Sequence, residues 1–204
     1  MAERTGLLVD FGGVLTTDLF ASFEAFCGKE RLDPSLVRDI FRTDDDARQL
    51  LIDLETGKID ADEFEPAFAR MLGVHEADGL IERLMAGAKP DHRMMNAVRA
   101  ARDAGVATGL VSNSWGVKRY NHELLDELFD GTVISGEVGI RKPAKRIYEL
   151  GAEAIGKAPE DCVFVDDLDF NLRPARELGM ATVHHISAEE TVPQLERLLG
   201  VRLR

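Results

Sequence analysis

Cysteine is scarce in this 204-residue chain. Its two cysteines, Cys27 and Cys162, lie far apart in sequence. A lone pair is a poor basis for a disulfide framework, and neither belongs to a Cys-x-x-Cys metal signature. Positive charge is also short, with 25 Lys+Arg against 37 Asp+Glu and a formal net charge of −12. Such a surface repels a phosphate backbone, which excludes a general nucleic-acid binder but not a locally basic pocket. No apolar run approaches the roughly 20 residues of a membrane helix, and Met-Ala-Glu-Arg-Thr lacks the form of a signal peptide. The expectation is a cytoplasmic protein with neither membrane nor nucleic acid as partner. Internal repeats and low-complexity segments are missing too. What remains is 45% apolar residues, enough to build a core. The length suits one domain of about 100–150 residues plus an insertion.

Gly6-Leu7-Leu8-Val9 reads as a short strand buried on both faces, ending at Asp10. Phe11-Gly12-Gly13 then breaks it with a tight turn. From Asp18 to about Lys89 the pattern is helical throughout. Leu19, Phe20, Phe23 and Phe26 share one face, as do Leu36, Val37, Ile40 and Phe41. Asp44-Asp45-Asp46 and Asp60-Ala-Asp-Glu-Phe64 open further helices with acids where the helix dipole favours them. After Pro90 the rhythm changes to helix 91–104, strand Val106–Val111, helix 117–128 and strand Thr132–Ile134. A helix from Lys142-Pro143 to about Ile155, with Pro143 as its first residue, follows. Strand Cys162–Val165, a helix to Leu178, strand Ala181–Ile186 and a last amphipathic helix complete the chain. Alternating strands and helices imply an α/β fold, a Rossmann-like parallel sheet with helices on both faces. An all-helical insertion at 17–89 then interrupts a core made of 1–16 and 90–204.

In open α/β sheets ligands sit beyond the carboxyl ends of the strands. Asp10, Ser112, Asn113, Asp166 and Asp167 fall there, with Lys142 at the mouth of a helix. Gathered carboxylates repel one another unless a divalent cation lies among them, and hard oxygen ligands suit Mg²⁺. A lysine and a hydroxyl beside that cation suit an anionic substrate, phosphate first, and an aspartate in that field is a nucleophile.

Asp10-Phe-Gly-Gly-Val-Leu15, Val111-Ser-Asn113, Lys142-Pro143 and Val163-Phe-Val-Asp-Asp-Leu-Asp-Phe-Asn171 together resemble the four ordered motifs of the haloacid dehalogenase-like hydrolases. The likeness is to the branch with a helical cap after the first motif, which includes the phosphatase domain of bifunctional epoxide hydrolases. The resemblance implies that Asp10 attacks phosphorus in line and forms an aspartyl-phosphate. It implies that Ser112 donates to a phosphoryl oxygen, and that Gly12, Gly13 and Asn113 help bind the substrate. Lys142 offsets charge on Asp10 and the phosphate. The Mg²⁺ ligands would be Asp10, the Gly12 backbone carbonyl and Asp167, with Asp166 acting directly or through water and Asn171 supporting the cluster. The implied substrate is a small phosphorylated metabolite, and the oligomeric state is left open between monomer and homodimer.

One departure matters. The family's first motif usually carries a second aspartate, the acid and base of the reaction, where this chain has Gly12. Losing that group costs about 10²–10⁴-fold, which predicts a preference for good leaving groups or a substrate or water chain that supplies the proton. Two alternatives stay open: a metal-independent haloacid dehalogenase, because halide needs no proton to leave, and a catalytically weakened protein that binds a phosphorylated ligand. Asp166-Asp167 argues against the first, and intact Asp10, Lys142 and Asp167 against the second. Ser112-Asn-Ser-Trp-Gly116 approximates a nucleophile elbow but lacks its first glycine. Trp115 and the phenylalanines of the insertion read chiefly as packing, and Arg141 as a charge beside Lys142 or a solvated residue.

Overall fold

A computed structural model describes residues 3–116 and 120–203. Strand β1 (Gly6–Val9) is the centre of a five-stranded parallel sheet. It is flanked by β2 (Ala107–Ser112) and β4 (Cys162–Asp166), with β3 (Gly131–Ile134) and β5 (Ala181–His184) at the edges, in the order 3-2-1-4-5. Leu8 pairs with Gly109 on one side and Phe164 on the other, so the ends of β1, β2 and β4 come out level. Alternate residues of β1 serve two cores. Leu7 and Val9 pack with Met94, Val98 and Leu195 on one face, while Leu8 packs with Ile147, Tyr148 and Leu172 on the other. The first face is covered by helices α6 (His92–Asp103), α7 (His122–Leu128) and α11 (Ala188–Leu199); the second by α9 (Lys145–Ala154) and α10 (Asp169–Glu177). A four-residue helix, α8 (Ser135–Val138), follows β3 directly.

Between β1 and α6 the chain builds only helices among the described residues, apart from the single bridge noted below: α1 (Leu19–Glu30), α2 (Leu36–Thr43), α3 (Asp45–Glu55), α4 (Ala61–Leu72) and α5 (Leu80–Met85). Their starts are set by side chains that accept first-turn N–H groups: Asp18 from Phe20, Asp44 from Ala47, Asp60 from Glu63. Phe23, Phe26, Leu54, Phe64, Phe68 and Leu84 form a third core, separate from those on the sheet. The insert leaves and re-enters through one narrow neck. Thr16 bridges Pro90, the Thr17 N–H donates to the Lys89 carbonyl at 2.7 Å, and the Asp91 N–H donates to the Leu15 carbonyl at 2.8 Å.

Most elements lie within a residue or two of their sequence-based positions, with two corrections. The helix expected from Pro143 begins instead at Lys145. The residue before a proline is driven away from helical angles. Here the Lys142 N–H and C=O are both held by the Asn113 side chain, at 2.8 and 3.2 Å, rather than by a helix. The helix expected over 117–128 is present as α7 from His122, and residues 117–119 lie outside those described. No helix among the described residues is long and apolar enough to cross a membrane.

Candidate active site

Asp10 follows the last residue of β1, Ser112 ends β2, and Asp166 ends β4, so the parallel register delivers all three to one edge. Lys142 reaches that edge from the turn before α9 and is fully buried. Its Nζ lies 2.7 Å from Asp10 Oδ1 and 2.8 Å from Asp166 Oδ2. Asn113 positions this lysine by gripping its backbone. The Asp166 carboxylate is saturated: besides Lys142 it accepts from the Leu168 N–H at 2.9 Å and from Asn171 Nδ2 at 3.0 and 3.2 Å. Asp10 accepts from its neighbour's N–H, Phe11, at 2.7 Å. Ser112 Oγ lies 2.9 Å from the hydroxyl of Tyr120, a residue that motif reasoning passed over.

Charge in this small volume is finely opposed. Burial pushes the Asp10 carboxyl up to about 6, with Lys142 pulling it down and Asp166 adding to the rise. Burial, then the charges of Asp10 and Asp166, push Asp167 up to about 7. Burial also works against the Lys142 ammonium, but the two aspartates outweigh it and hold Lys142 above the ordinary lysine range. One carboxylate oxygen from each of Asp10, Asp166 and Asp167 lies within 4.8 Å of the others. An all-oxygen donor set, with two carboxyls held up by burial and mutual repulsion, has the chemistry a hard divalent cation relieves. These residues therefore fit Mg²⁺. Gly13 completes the cradle. Its φ of +72° suits glycine, and a Cβ there would run into the Asp167 carboxylate.

Above the edge opens a cavity of about 560 Å³ between the sheet and the insert. Its floor is Asp10, Gly12, Asn113, Lys142, Asp167 and Asn171. Its upper wall is largely apolar, including Phe20, Phe23, Phe41 and Trp115, with arginines 38, 42 and 48 interspersed. The aromatic residues do more than the packing read from the sequence: Phe23 and Trp115 pack at 5.5 Å between ring centroids and also face the cavity. Leu19 reaches down to Gly12, where an added Cβ would lie 2.6 Å from Leu19 Cδ1.

A second feature escaped the sequence. Glu55, the last residue of α3, is 4% exposed and lines the same cavity. Its backbone carbonyl accepts from Ser135 Oγ at 2.5 Å, and that oxygen in turn accepts from the Ser114 N–H at 2.8 Å. Arg141 Nε stands 2.5 Å from Glu55 Oε2, yet neither atom makes an aligned hydrogen bond. Burial pushes the Glu55 carboxyl up to about 7, opposed by Arg141 and Lys142 and reinforced by Asp10. In sequence Glu55 is an ordinary acid in a helix; only the docking of α3 on α8 buries it.

Residues 5–179 match the family model of the haloacid dehalogenase-like hydrolases. The chain belongs to that family. Among curated proteins, bifunctional epoxide hydrolase 2 of Sus scrofa is 29% identical over 131 residues, 61% of this chain. This chain spans about a quarter of that enzyme's length, 24%. A sesquiterpene phosphatase of Aspergillus oryzae is 29% identical over 152 residues, covering 72% of this chain and 77% of its own. Among solved structures, a family enzyme of Bacteroides thetaiotaomicron in complex with magnesium superposes with a TM-score of 0.70 at 22% identity, covering 96% of this chain and all of the other. That likeness establishes the fold, and the family model places the chain in a family of hydrolases.

Proposed function

We propose that this hydrolase cleaves phosphate monoesters of small organic molecules through an aspartyl-phosphate on Asp10. The observation that carries the reading is the Asp10–Lys142–Asp166 chain at 2.7 and 2.8 Å, with Asp167 beside it at the sheet edge. Phosphoryl transfer needs mainly positioning and charge neutralisation, which is what this arrangement offers. Asp10, held by Lys142 and the Phe11 N–H, directs a carboxylate oxygen at phosphorus. Lys142 offsets charge on the attacked phosphoryl group, and Ser112 and Asn113 are near enough in the fold to contribute contacts to its oxygens. Asp10 and Asp167, together with the Gly12 carbonyl, would hold Mg²⁺, and Asp166 and Asn171 brace them. When bound, the ion supplies positive charge that draws phosphate and carboxylate together.

The division of labour is a core of 1–16 and 90–204 that carries the chemistry and a cap of 17–89 that selects the substrate; the neck at Thr16 and Pro90 supports these bounds. The apolar cap wall favours a phosphate on an apolar body, and its arginines favour further negative charge. The test compares wild type and Asp10→Asn on an aryl phosphate, with Mg²⁺ and with chelator. Metal-dependent release of phosphate that falls to background in the variant is expected. Metal-independent halide release from a haloacid, with no phosphate release, would overturn the reading in favour of dehalogenation.

A further inference from the structure

Gly12 leaves the site without the side chain that hands a proton to the departing oxygen, and Leu19 fills the room such a side chain needs. The reaction fixes where that proton is wanted. Asp10 attacks from the sheet edge, so an in-line leaving oxygen departs on the far side of phosphorus, toward the cap. Among the described residues, one acid of the cap lines the cavity there: Glu55. Its carboxyl accepts no hydrogen bond from the described residues, and its Oε2 is buried.

We propose that Glu55 is the acid and base of this hydrolase, acting from the cap in place of the side chain missing at Gly12. The inference rests on the phosphatase reading above. In the first half-reaction an Asp10 oxygen bonds to phosphorus and the bond from phosphorus to the ester oxygen breaks. That oxygen keeps the electron pair and takes the Glu55 proton, leaving an alcohol, the aspartyl-phosphate and the Glu55 carboxylate. In the second, water enters at the site the alcohol vacated and gives a proton to Glu55 as its oxygen bonds to phosphorus. The Asp10–phosphorus bond breaks with its pair returning to Asp10, so phosphate leaves and Glu55 is protonated again. Entering water and departing alcohol share one apical position, so one carboxyl facing it serves both halves.

The surroundings of Glu55 suit a group that must both give and take a proton near neutrality. Burial raises its affinity for the proton, Arg141 and Lys142 oppose, and Asp10 adds to the rise. Arg48, two turns earlier on α3, lines the same cavity together with Arg38, Arg42 and Asp167, and the phenol of Tyr120 feels the Glu55 charge from the adjoining pocket. Arg141 is matched to stabilise the carboxylate once the proton has left.

The experiment compares wild type, Glu55→Gln and Glu55→Asp on an alkyl and a p-nitrophenyl phosphate across pH 5 to 9. In Glu55→Gln, kcat/KM for the alkyl ester should fall about 10²–10⁴-fold, while the p-nitrophenyl ester, whose leaving group needs no proton, falls far less. The wild type on the alkyl ester should show a fall of kcat/KM above neutrality that vanishes in Glu55→Gln and survives in Glu55→Asp. Equal losses on both esters with an unchanged pH profile would overturn the inference and leave Glu55 a strut between α3 and Arg141. If Glu55→Gln does not fold, the Glu55→Asp profile decides, since a shortened carboxyl that leaves the ratio between the esters unchanged also overturns it. Failure of the phosphatase reading itself looks different: wild type and Asp10→Asn are then alike on both esters.

Discussion

A Cβ at Gly12 would meet only the flexible tip of Leu19, whereas one at Gly13 would strike the Asp167 carboxylate from a left-handed backbone. Gly13→Ala should therefore cost about 1–2 kcal/mol in strain alone and lose most of its affinity for divalent ions. Gly12→Ala should lose little of either; thermal unfolding with and without Mg²⁺ separates the two. The Glu55 carboxyl, raised from 4.5 to about 7, contributes stability at low pH that is lost as pH climbs through 7. Glu55→Gln should flatten that part of the pH–stability curve and gain on wild type toward pH 8, as unfolding midpoints across pH will report. Lys142→Met removes the cation between two buried carboxylates, and such a loss costs roughly 3–5 kcal/mol. The deficit should be largest at pH 8 and shrink as pH falls, with Asp10 taking up its proton above the wild-type value of about 6 because the Lys142 charge that lowers it is gone. Asp10, Lys142, Asp166 and Asp167 were legible in the chain because strand ends and a Lys-Pro pair mark their places. Glu55, Tyr120 and Leu19 were not, since nothing local distinguishes an acid, a phenol or a leucine that tertiary packing brings to the sheet edge and the cavities above it.

At the scale of elements, α3 is tied to the core through α8, and the ties there matter out of proportion to their size. Ser135, the first residue of α8, serves the Glu55 carbonyl and the Ser114 N–H at once. Ser135→Ala leaves two buried backbone groups without a partner, a loss of about 1–3 kcal/mol each at most. Denaturant unfolding should register it, and the proposed release of phosphate from an alkyl ester should fall with it as Glu55 loosens. Gly57, at φ +70°, lets the turn after α3 lie against the Gly136 backbone, which fixes how deeply the helix seats. Strands and capped helices were readable because Val, Leu and Ile runs, Asp caps and terminal glycines act within a few residues. The start of α9 was misread because Asn113, distant in sequence, holds Lys142 out of the helix.

For the whole molecule, the interplay of net negative charge and an acidic trio at the sheet edge has a measurable consequence. A divalent ion that binds the folded state alone stabilises it by RT ln(1 + [L]/Kd), about 2.7 kcal/mol at a hundredfold excess over Kd. Mg²⁺ should raise the unfolding temperature of the wild type and leave that of Asp167→Asn nearly unchanged. The helical insertion was visible in the sequence as a stretch without strand patterning, while the cavity between it and the sheet was not, because its walls come from segments that only folding brings together. The neck at Thr16 and Pro90 carries the last consequence. A segment whose two ends are already adjacent can lengthen, shorten or change its composition without disturbing the β1–β2 ladder that it interrupts. On the proposed division of labour, evolution is thereby free to redraw what this protein chooses on one side of that junction while inheriting, unaltered, what it does on the other.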